Sequence, residues 1–199
     1  LKVVMPTTSA DAKGLLLESI FDDNPVLFLE HRWLHNLEGN VPEGDYRVPI
    51  GKAQLLKEGS DVTIVSLSYM SIEALHAVEV LEKKGISCDL IDLRTVKPID
   101  FDLIYKSVKK TGLLVALDTG VGTNSIASEI VARVSMNLFD NLKKAPVRIA
   151  LPDFPTPTSR VLTKGFYKRA EDIIDSISNM LGKNLVGAEL IDRGKVPSD

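Results

Sequence analysis

Apolar positions along this chain fall into two alternating patterns, short unbroken runs and stripes repeating every three or four residues, which predict strands and helices in turn. Val3, Val4 and Met5 read as a short strand that Pro6 stops. Ser9 is placed to cap the next helix, with Asp11 in its first turn. Ala12, Leu15, Leu16 and Ile20 then keep helical spacing until Asn24-Pro25 breaks it. Residues 26–29 are apolar throughout, as in a strand covered on both faces. Over 31–49 the periodicity fails, and Gly39, Pro42, Gly44 and Pro49 mark a linker.

A regular rhythm begins near Ile50. Residues 61–67 read as a buried strand. Ser71 can cap a helix striped by Ala74, Leu75, Val78 and Leu81 and ended by Lys83, Lys84 and Gly85. Further strands are expected over 88–93, 113–117 and 147–150. Between them lie a helix started by Pro98, with Phe101, Ile104, Tyr105 and Val108 inward, and one over 125–139. A closing helix is expected over 170–181. This alternation predicts an α/β fold, a doubly wound and mostly parallel sheet over 50–183, preceded by strand, helix, strand and linker over 1–49. The polar, glycine-containing residues 184–199 read as a loosely attached tail.

Composition mostly excludes. A net charge of -3 gives no electrostatic reason for a nucleic-acid partner. Lys83-Lys84, Lys109-Lys110 and Lys143-Lys144 sit at expected helix ends, where they complement the helix dipole. The lone Cys88 rules out an internal disulfide, and its apolar surroundings suggest a small buried hydrophobe. No apolar stretch approaches the roughly 18 residues a membrane span requires, so no membrane partner is expected. The opening residues read as a strand already under way, and the chain looks cut.

Candidate chemistry is sparse. Gly120-Val121-Gly122-Thr123-Asn124-Ser125 sits between strand and helix like a dinucleotide loop, but Ser125 replaces the third glycine, which favours a plain turn. His31 and His35 are four apart, a metal spacing only on a helix, and here they leave a strand. Ser66, Ser68 and Ser71 lack the Gly-x-Ser-x-Gly elbow of hydrolases. Asp92 and Arg94 at a strand end read as an ion pair fixing a turn, and His76 as structural. Pro152, Pro155 and Pro157 stiffen a loop that suits either an intersubunit contact or a plain connection.

Several stretches, in order, resemble the beta subunits of pyruvate, branched-chain 2-oxo acid and acetoin dehydrogenases. They include Asp11-Ala12-Lys13-Gly14-Leu15-Leu16, Leu29-Glu30-His31, Val41-Pro42-Glu43-Gly44-Asp45-Tyr46, and Val48-Pro49-Ile50-Gly51-Lys52-Ala53. Ile91-Asp92-Leu93-Arg94-Thr95, Pro98-Ile99-Asp100, Pro152-Asp153 and Pro155-Thr156-Pro157 continue it. The resemblance implies that residues 1–49 end a pyrimidine-binding domain and that 50–183 form a transketolase C-terminal-like domain. It implies thiamine diphosphate and magnesium in the complete enzyme, with the cofactor and catalytic residues upstream and none on this chain alone. The implied partners are an alpha subunit and a second beta subunit in a heterotetramer, and an acyltransferase core. The implied location is cytoplasmic, or the mitochondrial matrix in a eukaryote. His31, at a strand end, is the one cleft-facing candidate, the alternative being a histidine bonded across the domain boundary. A split transketolase or deoxyxylulose-phosphate synthase, and a non-catalytic ligand-binding module, are the rival readings.

Overall fold

The computed structural model describes residues 1–183, and the expected tail lies outside them. Five strands build the larger sheet, in the order β3 (Gln54–Lys57), β5 (Cys88–Asp92), β4 (Val62–Ser66), β7 (Leu114–Val121) and β8 (Val147–Leu151). All neighbours are parallel except β3, which runs antiparallel to β5 at one edge. The four parallel strands are those the unbroken apolar runs predicted. Alternate residues feed two cores. Ile64, Leu90 and Val115 face α2 (Tyr69–Lys83) and α6 (Ala170–Leu181), while Val65, Ile91 and Leu114 face α3 (Phe101–Thr111) and α4 (Ile126–Asn137). With helices on both faces, neither face tolerates polar alternation, so the strands read as continuous apolar runs.

The first unit has its own sheet. β1 (Lys2–Val4) pairs in parallel with β2 (Val26–Phe28), and α1 (Ser9–Ile20) joins them. On its other side β1 pairs antiparallel with β6 (Thr95–Lys97), a strand contributed by the second half of the chain. The two units are therefore joined by main-chain hydrogen bonds. Met5 N–H donates to the Arg94 carbonyl at 2.8 Å, and Gly14 packs so closely on Val48 and Tyr46 that a Cβ would lie 2.6 Å from Val48 Cγ2.

Several local expectations are corrected. Thr8 caps α1, its hydroxyl accepting from Asp11 N–H, and Ser9 is the first helical residue. α2 starts at Tyr69 after Ser68, so Ser71 lies inside the helix. Its hydroxyl bonds Ser66, which frees it from capping. α3 is capped by Asp100, two residues after Pro98. β2 is not covered on both faces: it is a sheet edge, and Leu27 is 45% exposed. β3 and β6 were not expected at all. The linker is partly structured, with a 3-10 segment at Arg32–Asn36. Two short elements complete the fold, a 3-10 turn at Phe139–Asn141 and a four-residue helix, α5 (Arg160–Thr163). No helix among the described residues is long and apolar enough to cross a membrane.

Candidate functional site

The strand order puts a switch point between β4 and β7: the connection from β4 leads to β5 on one side, whereas β7 follows on the other. Such points leave a crevice beyond the carboxyl ends of the strands, where doubly wound folds bind ligands. Here the crevice is a cleft of about 310 Å³. Tyr69 and Met70 enter it from beyond β4, Asp118 and Thr119 from β7, and Leu151 from β8. Its opposite wall comes from the first unit: Met5 beyond β1, then Glu30, His31, Arg32 and Trp33 beyond β2. Glu30 and His31 also line an adjoining hollow of about 240 Å³, closed by Thr7, Thr8 and Ser9 at the start of α1 and by His35.

His31 lines this cleft from beyond β2. Its ring stacks on Tyr69 at 5.0 Å between centroids, and Trp33 N–H donates to its Nδ1 at 3.3 Å. The proton of the neutral ring is then on Nε2. Burial first, then the proximity of His35, lowers its pKa, so it is neutral at physiological pH. His35 lies 3.7 Å from Glu30 and does not join His31 around a common point. Among the described residues no three His, Cys, Asp or Glu side chains are grouped to hold a metal ion.

Sequence reasoning missed the aromatic packing that fixes His31. Trp33 meets Tyr69 and Tyr167 edge-on at 4.9 and 5.0 Å, and the Arg169 guanidinium lies 4.8 Å from the Trp33 ring. Glu73, buried on α2, holds this arrangement: it accepts from Tyr69 Oη, from Arg169 at 2.8 Å and from the Ala170 amide that opens α6. Burial alone would raise the Glu73 pKa, but the hydrogen bonds from Tyr69, Arg169 and Ala170 outweigh it and leave the carboxyl below its ordinary value. Trp33, alone of its kind in the sequence and set in a polar linker, was the one available hint.

The remaining candidates are tied to local partners or buried. Asp118 of β7 accepts from the Gly120 amide at 2.9 Å and from the Ala127 amide at the start of α4, so it bridges both ends of the Gly120–Ser125 loop. Arg94 N–H does donate to Asp92, but its guanidinium goes to Asp11 of α1 at 2.6 Å, a partner the sequence did not suggest. Cys88 is buried, which pushes its thiol up to about 12, and His76 is buried on α2. Ser68 has no glycine neighbours, yet its backbone adopts φ 51°, ψ -131° at the sharp strand-to-helix turn. It is fully buried.

Comparison with known proteins agrees with this architecture. Residues 51–173 match the family "Transketolase, C-terminal domain". The chain is 42% identical over 173 residues to the beta subunit of acetoin:2,6-dichlorophenolindophenol oxidoreductase from Cupriavidus necator, covering 87% of this chain and 51% of that one. It is 39% identical over 181 residues to the beta subunit of the pyruvate dehydrogenase E1 component of Cyanidium caldarium, covering 91% and 55%. The chain therefore spans about half the length of the curated relatives it matches. A solved structure described as a split-gene transketolase in an inactive beta4 tetramer superposes with a TM-score of 0.74 at 26% identity, covering 91% of this chain and 57% of the other.

Proposed function

Because the chain belongs to the transketolase C-terminal domain family, we propose that it is the C-terminal part of the beta subunit of a thiamine-diphosphate-dependent 2-oxo acid dehydrogenase. The observation that carries this reading is a similarity to such beta subunits that runs through both units and the linker. The dehydrogenase subunits share more identity with the chain than the transketolase structure does, which favours them over a split transketolase.

In this reading the chain is part of an enzyme and not an enzyme by itself. Its residues do not fit a magnesium–diphosphate grip, since no three His, Cys, Asp or Glu side chains are grouped to hold a metal ion among those described. When bound elsewhere in the complete enzyme, thiamine diphosphate supplies the carbanion chemistry. This chain supplies a cleft walled by both of its units, with a neutral, aromatic-clamped His31 among its polar groups. It also supplies surface for assembly with an alpha subunit and a second beta subunit, and with an acyltransferase core.

Titration calorimetry with thiamine diphosphate and magnesium should show no saturable binding to this chain at micromolar concentration. A tight one-to-one complex would sink the assignment of the cofactor grip to other segments. In the complete enzyme, His31→Ala should lower kcat/KM for the 2-oxo acid by about tenfold or more with little change in Tm. Unchanged kinetics would make His31 a packing residue.

A further inference from the structure

The seam between the two units contains a buried polar node for which the proposed function has no use. Asp92 ends β5 and is fully buried. Its neighbours across the sheet, Gln54 on β3 and Ser66 on β4, are uncharged. The charged groups that face it are Asp11, from α1, and Arg94, which follows on its own strand. Two carboxylates against one guanidinium leave the node with a net charge of -1. Asp11 Oδ2, Asp92 Oδ2, Ser68 Oγ and Arg94 Nε are all buried without a hydrogen-bond partner among the described residues. Ser68 and Arg94 also hold left-handed backbone conformations, with φ of 51° and 56°, which non-glycine residues adopt at a cost. Strain, excess negative charge and unsatisfied acceptors thus coincide where Thr7 meets Ser68 and α1 meets Arg94, the contacts that join the units.

We propose that Asp92, Asp11 and Arg94, with the hydroxyls of Thr7 and Ser68, form a proton-operated clamp that holds the strand–helix–strand unit more tightly when the node binds one proton. A proton on Asp92 cancels the net charge and turns one orphaned acceptor into a donor beside others. The Arg94 guanidinium pairs with Asp11 at 2.6 Å and gives Asp92 only its backbone N–H, which leaves Asp92 as the acceptor; its carboxyl is pushed up to about 6 by burial and by the Asp11 charge, against the hydrogen bond from Thr7 and the pull of Arg94. Because the cleft takes one wall from each unit, a looser seam at alkaline pH is a looser cleft. The clamp stands on the seam alone and does not require the enzymatic reading.

Amide hydrogen exchange on the whole chain, corrected for intrinsic rates, tests this at the Met5 amide, which spans the seam to Arg94. If the open seam lets Asp92 return to its ordinary value, Met5 protection should rise about tenfold between pH 7.5 and pH 5. The Thr63 amide, inside the larger sheet, should change less. Asp92→Asn should make Met5 protection independent of pH, at the level the wild-type chain reaches at pH 5. A pH response that persists in Asp92→Asn, or none in the wild type, overturns the clamp. Should that variant fold poorly, the carboxyl carbon shift of Asp92 in the wild-type chain decides: a midpoint near 6 supports the clamp, and one below 4.5 overturns it.

Discussion

Two buried carboxylates pull stability in opposite directions with pH. Glu73 has a lowered folded-state pKa, so its contribution is complete above its ordinary value of 4.5 and is lost as pH falls through the folded value. Asp92 has a raised one, so its ionised form is the costly state, and that cost is relieved as pH falls from 7 through about 6. Calorimetric Tm should therefore rise on acidification from pH 7.5 to about 5, then fall below about 4.5. Glu73→Gln should blunt the acid fall and cost about 2 kcal/mol at pH 7, because a charge-assisted acceptor of three donors becomes neutral. An unaltered acid limb in that variant would show that other carboxylates govern it. Gly59 is a different single-residue constraint. A Cβ there would sit 2.5 Å from the main-chain carbonyl carbon of Ser87, at the start of β5, with backbone rather than a flexible side chain in the way. Gly59→Ala should lower stability by about 2–3 kcal/mol in urea titrations.

At the scale of elements, legibility followed burial. β4, β5, β7 and β8 were visible because helices cover both their faces, and a strand with no wet face must be apolar throughout. β3 and β6 were invisible for the opposite reason: Gln54, Lys57 and Lys97 interrupt short strands that lie at an edge or a seam and pair antiparallel. Helix starts slipped because Ser66-Leu67-Ser68-Tyr69-Met70-Ser71 offers three hydroxyls, and only the fold decides which one stands before the first turn. The strand-end position of His31 was legible, since it is a local feature. Its aromatic clamp was not, because Tyr69 and Arg169 meet across 100 residues of sequence. The same burial logic ranks mutations. Ile177, fully buried where α6 packs on α2, should cost about 2–5 kcal/mol as Ile177→Ala. Val161 on α5 is 82% exposed, and Val161→Ala should stay within about 0.5 kcal/mol. Equal losses at the two sites would mean that α5 is packed in solution.

Across the whole molecule, the apolar surface is distributed in a way a monomer does not need. Scattered exposed aliphatics are ordinary, but several large apolar side chains here are strongly exposed. Ile20, Phe21 and Leu27, all at least 45% exposed, belong to the strand–helix–strand unit. Met136, near the end of α4, and Phe139, in the turn that follows, are 80% and 75% exposed. The chain should therefore self-associate, with sedimentation velocity showing a mass above 21.8 kDa that grows between micromolar and hundred-micromolar concentration. Salt discriminates the cause. With a formal net charge of only -3, like-charge repulsion is weak and ionic attraction between copies has little to work with. Association by apolar contact should persist or strengthen as sodium chloride rises, whereas association by ion pairs would weaken. Because Phe21 also lies under the Arg47 guanidinium at 3.9 Å, its replacement would disturb the monomer as well. Phe139 has no such neighbour among the described ring contacts, so Phe139→Ser is the cleaner probe and should lower the association constant without lowering Tm. A strict monomer at hundred-micromolar concentration, or a dimer that salt dissolves, would mean that these surfaces are not where copies meet.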